Sequence, residues 1–345
     1  MKTNASVLAR KMQVDGILDT KPPSKLKGEE KMRLPGYKIV CLMIIGMVIL
    51  SLGGCVTINL GGTPAPAPAN PTEPSDFEVS PTLAVVKSEL TEVTVLNAQY
   101  LSPMRQQPIQ LVNGEFSGVV DGVALNARIQ PGVQFGDLNE DGIDDAAFLM
   151  AEDTGGSGVF VSLVVVYSRG ELFQQAQGQL IDDRPVIHTM SIDGGVVRIA
   201  GLIHSPSDAM VNPTTVFSAE FDVFGDQIMR TRQTSAFGNS AEHLIEIESP
   251  LDGETVSGSI RLKGSMPIGP FENNLALRII DEQGNELIYQ GFMVSAEDMG
   301  APAVFDNLIA LPGVGPGSQL LVILLDLSMA DGTPIAIDSV RVIVN

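Results

Sequence analysis

The sequence predicts a mainly β protein: a β-rich α+β domain followed by a β-sandwich of the immunoglobulin type. Three observations carry that reading. Gly (35) and Pro (22) are frequent among the 345 residues, aromatics make up 5% and Trp is absent, and with so many Val and Ile this turn-rich composition favours strands over a helical bundle. From 244 to 345, seven strand-like runs follow one another in about 100 residues, the spacing expected of such a sandwich. A convincing helical spacing of apolar residues occurs only once.

The N-terminal segment has a different character. Ile39 to Leu52 is apolar apart from Gly46 and Ser51, with Arg33 and Lys38 on its N-terminal side. The run is short for a membrane span, which needs about 20 residues, and suits the core of a signal peptide. It closes on Leu52-Gly53-Gly54-Cys55, which resembles the lipobox of bacterial lipoproteins. The resemblance implies that Met1 to Gly54 are removed and that Cys55 becomes a lipidated N-terminus, attaching the protein to the membrane. Two acyl chains give stable residence there, whereas one is marginal. Because the basic part of a signal peptide is usually short, Met32 is the expected start, with a cytoplasmic extension over 1–31 as the alternative. Cys41 leaves with the signal and Cys55 takes the lipid, so no internal disulfide is expected.

The formal net charge is −20, and the segment before Cys55 is basic, so the exported part is more acidic still. Such a surface repels nucleic acid and attracts cations, and no nucleic-acid partner is expected. After Cys55 the chain is rich in proline (Pro64, Pro66, Pro68, Pro71, Pro74, Pro81) without apolar periodicity. This stretch, residues 55–81 with the anchor, reads as an extended stalk.

A β-rich α+β domain is expected over 82–236. Ser80 and Pro81 can start a short helix, with Leu83, Val86, Leu90 and Val93 at helical spacing. Ile109–Val112 and Glu115–Gly118 flank Asn113-Gly114, a hairpin signal. Val123, Leu125, Ala127 and Ile129 alternate with more polar or smaller neighbours as a half-buried strand. Ala146–Met150 and Val159–Tyr167 are continuous apolar runs, as in central strands. Val186–Ile192 and Val196–Ile203 flank Asp193-Gly194-Gly195, and Thr214–Val223 supplies the last expected strand. The mostly polar stretch Gln233–Ser240 marks the expected boundary.

The sandwich is expected over 244–345, from strands at Leu244–Ile247, Val256–Leu262, Leu275–Ile280, Glu286–Gly291, Ala303–Ala310, Leu320–Leu327 and Ile335–Val344. Within it, Ser249-Pro250, Gly253, Val256, Leu262, Gly264, Phe271-Glu272-Asn273-Asn274-Leu275 and Asp281-Glu282-Gln283-Gly284-Asn285 resemble the immunoglobulin-like domain of bacterial spore germination proteins. That resemblance implies an extracytoplasmic interaction or spacer module and transfers no catalytic residue. Pro250 and Gly253 would turn the chain into a strand, Gly284 suits a turn with positive φ, and Phe271 is expected as a core plug.

The one chemical motif is Gly136-Asp137-Leu138-Asn139-Glu140-Asp141-Gly142-Ile143-Asp144-Asp145. Asp137, Asn139 and Asp141 alternate so that three side-chain oxygens can converge, Gly142 permits a sharp turn, Ile143 would add its carbonyl and Asp145 a carboxylate. Hard oxygen ligands of this kind favour calcium over zinc or copper. Phe148 stands where an EF-hand places its bidentate Glu, which excludes that hand. The segment resembles instead the calcium loops of FG-GAP repeats and a GDLNGDG-type segment of uncharacterised bacterial lipoproteins. One such loop is too few for a propeller. The competing reading is an Asx turn closed without metal.

No enzyme signature is complete. Asp153-Thr154-Gly155 lacks the second carboxylate of an aspartic protease dyad, and Val159 stands where a nucleophile elbow around Ser157 needs Gly. His188, His204 and His243 fit no familiar zinc spacing, and His204-Ser205-Pro206-Ser207-Asp208 reads as a loop held by hydrogen bonds. The expectation is a non-enzymatic, lipid-anchored binding or spacer protein outside the cytoplasm, with an envelope protein or the cell wall as partner. A cell-wall hydrolase or protease would instead bring His204 or His243, an acidic residue and Ser157 into one cleft. A structural component of an envelope or germination-type assembly would show an exposed apolar patch or sheet edge on the sandwich and no pocket.

Overall fold

The computed structural model describes residues 90–345 apart from 170, 171, 239 and 312. The signal-like run, Cys55, the Pro-rich stretch and the first turns of the expected helix lie outside the described residues.

Helix α1 (Glu92–Leu96) starts at Thr91, whose extended backbone (φ −126°, ψ 161°) and hydroxyl cap it. Thr91 and Thr94 form a reciprocal capping box: Thr91 Oγ1 accepts from the Thr94 N–H at 3.2 Å and Thr94 Oγ1 from the Thr91 N–H at 2.8 Å. The cap breaks the expected helical register. Leu90 is buried ahead of it, Val93 is 71% exposed, and Val95 takes the core position instead.

Thirteen strands follow before residue 240: β1 (Gln99–Leu101), β2 (Pro108–Gln110), β3 (Glu115–Val120), β4 (Val123–Ile129), β5 (Gln134–Gly136), β6 (Asp145–Asp153), β7 (Phe160–Arg169), β8 (Leu172–Gln175), β9 (Gln179–Asp183), β10 (Val186–Asp193), β11 (Val196–Ile203), β12 (Thr215–Phe224) and β13 (Gln227–Ala236). β1 and β2 pair as a small ribbon, and β3 to β9 form a seven-stranded antiparallel sheet in the order β3-β4-β6-β7-β8, with β5 beside β6 and β9 beside β7. The Asn113-Gly114 turn forms with positive φ at both residues (50° and 82°), and Val112 and Glu115 bond across it. Its arms then diverge, β2 to the ribbon and β3 to the sheet.

The middles of β6 (Ala146 to Ala151) and β7 (Leu163 to Tyr167) are continuous apolar runs because both faces are covered. On one face Phe148, Met150, Val164 and Val166 pack with Val95, Tyr100, Ile109 and Leu111. On the other, Leu149, Leu163, Val165 and Tyr167 pack with Val197, Ile199, Phe217, Phe221 and Ile228 of the β10–β13 meander. β4 has one covered face and alternates accordingly.

The C-terminal part holds β14 (Glu246–Ser249), β15 (Glu254–Val256), β16 (Ser259–Met266), β17 (Asn274–Asp281), β18 (Glu286–Met293), β19 (Ser295–Ala296), β20 (Ala303–Ala310), β21 (Gln319–Leu327) and β22 (Pro334–Val344). The sheet β14-β16-β20-β19 packs against β22, β21, β17 and β18 as an immunoglobulin-like sandwich, around Leu262, Leu277, Phe292, Phe305, Leu324 and Val342. The expected strand Val256–Leu262 is two strands, because the chain turns at Gly258 with φ 66°. Phe271 is not a plug. A 3-10 turn with left-handed Glu272 and Asn273 turns it out to 48% exposure, and Phe292 and Phe305 fill the core edge to face at 5.4 Å.

The sandwich sheet continues into the preceding part. One nine-stranded sheet runs β10-β11-β12-β13-β22-β21-β17-β18, with β15 parallel to β22, and Gln233 of β13 stands opposite Ile337 of β22. β13 was not expected, and the polar stretch read as a boundary begins inside it. Side chains from both strands bond across the seam. Gln233 Nε2 donates to the Pro334 carbonyl at 2.6 Å, Ser235 Oγ to the Ile335 carbonyl at 2.8 Å, and Ser339 Oγ to the Thr231 carbonyl at 2.9 Å.

Candidate ligand cleft

Where β13 meets β22 the two parts leave a cleft of about 560 Å³. Its walls come from six stretches of the chain: β9, the β11–β12 ends, β13 with the loop to His243, and three loops that carry Phe271, Met299 and Met329. The walls are mostly apolar. Phe271 (48% exposed), Met299 (76%) and Met329 (71%) stand at its solvent side.

Arg230 supplies the charge. A register shift in β13, where Glu220 and Phe221 of β12 pair with Arg232 and Arg230 and Thr231 is skipped, puts Arg230 on the same lining as Gln233 and Ser235, and its Nη1 donates to Gln233 Oε1 at 2.6 Å and Nη2 to the Leu180 carbonyl at 2.7 Å. The guanidinium carbon stands 5.2 Å from the centre of the Phe221 ring, a cation–π contact. Among the described residues no carboxylate lies within ion-pair distance of it. Burial pushes its pKa down to about 10, with the charge of Asp182 opposing that shift. The group is still a cation at neutral pH, held by neutral acceptors alone.

Two histidine–aspartate pairs line the same cleft. Asp182 Oδ2 accepts from the backbone N–H of His204 at 2.7 Å and lies 2.9 Å from His204 Nδ1. His243 is fixed by paired backbone bonds to Ser235 (3.1 and 2.7 Å) and by an edge-to-face contact with Phe237 at 5.1 Å. Its Nδ1 is 3.9 Å from Asp326 Oδ2, beyond hydrogen-bonding distance. Five buried side-chain polar atoms lack a protein partner among the described residues, and three of them, His204 Nε2, His243 Nδ1 and Thr215 Oγ1, belong to cleft residues. Unpaired buried polar atoms are costly, so three of them in a cleft that also holds a cation without an ion-pair partner mark it as a place built for something other than packing.

The acidic loop is elsewhere. Asp137, Asn139, Asp141 and Ile143 lie in the β5–β6 connection and Asp145 opens β6, and the loop closes on its own N–H groups. Asp137 Oδ1 and Oδ2 accept from Asp141 (3.0 Å) and Gly142 (2.9 Å), Asn139 Oδ1 from Asp141 (3.0 Å), and Asp141 Oδ1 from Ile143 (2.9 Å). Asp145 turns inward and is fully buried, its oxygens accepting from Leu138 (3.0 Å) and Ser168 (2.8 Å). Burial raises its pKa to about 6. The hard-oxygen chemistry suits calcium, and each bonded oxygen keeps a lone pair. As arranged, however, no three His, Cys, Asp or Glu side chains among the described residues gather as a metal site.

Asp153-Thr154-Gly155 is an Asx turn, with Gly155 N–H donating to Asp153 Oδ1 at 2.7 Å, and Ser157 is not among the cleft-lining residues. The loop after His204 is held by Asp208, which accepts from Ser205 N–H (2.9 Å), Thr214 N–H (2.8 Å) and Thr214 Oγ1 (2.8 Å). These bonds, the Ser205 N–H first, bring the Asp208 pKa down to about 2. Sequence reasoning singled out His204 and His243 but missed Arg230, Thr215, Asp182 and Asp326. No local spacing joins these four, because the cleft is assembled by strand pairing across the seam.

The profile of the Gmad2 family, described as the immunoglobulin-like domain of bacterial spore germination, matches residues 244–333. Neither the curated proteins nor the solved structures contain a significant match to the chain.

Proposed function

We propose that this chain is a binding protein of the bacterial cell envelope, anchored by lipid at Cys55, raised on the Pro-rich stretch and binding its ligand in the seam cleft. The observation that carries the reading is Arg230, a guanidinium without an ion-pair partner among the described residues, in a mostly apolar cleft with three partnerless polar atoms along its lining. Mostly apolar clefts of this size with a few placed polar groups are what ligand sites look like. The immunoglobulin-like match over 244–333 supports an interaction module outside the cytoplasm. The hydrolase alternative needs Ser157 beside a histidine, and Ser157 is not in the cleft lining. The assembly alternative draws on the exposed Tyr289 and Met293 of β18 and Val304 and Leu308 of β20, but it requires no pocket.

Two measurements test the proposal. Cells making the full-length chain should carry it in the membrane fraction with incorporated palmitate, and Cys55→Ser should abolish both; recovery of an unlabelled wild-type chain would remove the anchor from the account. The uncharged fluorophore Nile red should bind the folded protein saturably, and Phe271→Glu with Met329→Glu should weaken it, since both side chains are exposed and tolerate replacement. Equal binding by the variant would remove the cleft.

Calcium is proposed as a structural ion of the acidic loop on the oxygen chemistry of Asp137, Asn139, Asp141, Ile143 and Asp145. In calorimetry, stoichiometric calcium binding with a raised melting temperature, both lost in Asp137→Ala, Asp141→Ala, is the expected result. No heat and no shift would leave a turn closed by its own Asx bonds.

A further inference from the structure

The charge pattern of the cleft selects a ligand class, and this step rests on the cleft reading above. Asp182 spends its hydrogen bonds on the backbone and ring of His204 at 2.7 and 2.9 Å and acts on Arg230 only through its charge, without an ion pair, and Asp326 faces His243. Arg230 has only neutral acceptors, Gln233 Oε1 and the Leu180 carbonyl, and the Phe221 ring. A planar guanidinium held by part of its donor set keeps N–H groups for one further acceptor, and a carboxylate fits that fork with charge assistance. The surrounding walls are apolar, which strengthens such a bond by excluding water and penalises a highly charged ligand. The strongly acidic chain, at −20 overall, disfavours polyanions further.

We propose that the seam cleft binds a small monocarboxylic acid with an apolar body, its carboxylate on Arg230 and its body against Phe271, Met299 and Met329. Within that site Arg230 is the residue that reads the head group.

Thermal unfolding of the full-length protein with four water-soluble probes tests this: 4-phenylbutyrate, 4-phenylbutan-1-ol, 4-phenylbutylamine and phenyl phosphate. The expected result is a concentration-dependent rise in melting temperature with 4-phenylbutyrate and little with the others. Arg230→Gln should weaken the apparent affinity about 10- to 100-fold, the loss of a charge-assisted bond, and Arg230→Lys should weaken it less. Should Arg230→Gln fail to fold, the unmodified protein still decides, because the acid must stabilise it clearly more than the alcohol that carries the same apolar body. Equal stabilisation by acid and alcohol would overturn the head-group assignment while keeping the cleft. Stabilisation by the amine alone would give the site to Asp326, and by phenyl phosphate alone to a phosphate-bearing ligand; either overturns the proposal. No response to any probe would sink both this inference and the cleft reading.

Discussion

Glu152 and Arg230 are both charges taken out of bulk water, and their surroundings treat them differently. Glu152 is fully buried in β6, where its carboxylate accepts from the Ser102 hydroxyl and from the Met104 N–H at 2.9 Å. Burial outweighs those bonds and raises its pKa above the usual 4.5. A carboxyl whose folded pKa exceeds its unfolded one favours the fold while protonated, so its contribution is present below pH 4.5 and is lost as pH rises through the folded value. Glu152→Gln removes that titration. The melting temperature of the variant, relative to the parent, should therefore be more favourable at pH 7 than at pH 4; a difference that stays flat with pH would contradict the burial argument. The residue scale was partly legible in sequence. Asn113, Gly114, Gly253 and Gly284 stand at positive φ where their turns were expected, because turn chemistry is local. Phe271 was misread because its outward turn depends on left-handed Glu272 and Asn273, which no apolar pattern reveals.

Strands followed the patterns that burial imposes. β6, β7 and β21 are largely apolar runs covered on both faces, β4 alternates, and these were visible in sequence, whereas the expected strand Val256–Leu262 merged β15 with the first half of β16. β13 was not, since Gln227-Ile228-Met229-Arg230-Thr231-Arg232-Gln233-Thr234-Ser235-Ala236 carries polar residues at positions that face the seam instead of solvent. Gln233 is the clearest of these, 1% exposed and bonded to both Arg230 and Pro334. Gln233→Ala should destabilise the protein by about 1–3 kcal/mol in denaturant titration, the cost of stranding buried partners. A value near zero would mean the seam is held without it. The turn between β12 and β13 makes a second check. Gly225 adopts φ 62°, and a Cβ there would lie 1.9 Å from the Glu282 carbonyl oxygen in the β17–β18 turn. Gly225→Ala should lower the melting temperature, and Gly194→Ala, also at positive φ (59°) but with open space around it, should lower it less. Equal effects would leave strain alone and remove the close approach.

At the scale of the molecule, a mainly β architecture ending in an immunoglobulin-like sandwich was readable from composition and strand spacing. What could not be read was that one sheet runs from β10 to β18 through β13 and β22, since the pairing of Gln233 with Ile337 spans about a hundred residues and leaves no periodic mark. The cleft depends on that pairing: Arg230 from β13, Asp326 from β21 and Thr215 from β12 come together once this sheet is complete, and Asp182 reaches the cleft from β9 of the seven-stranded sheet. The proposed function therefore depends on the cleft binding an acid. Calorimetric titration of 4-phenylbutyrate into the full-length protein and into Arg230→Gln, with both shown to be folded by their melting transitions, tests that most directly. Saturable binding of a single molecule per chain, weakened about 10- to 100-fold in the variant, is the predicted result. Binding of equal strength to both proteins, or to neither, would contradict it.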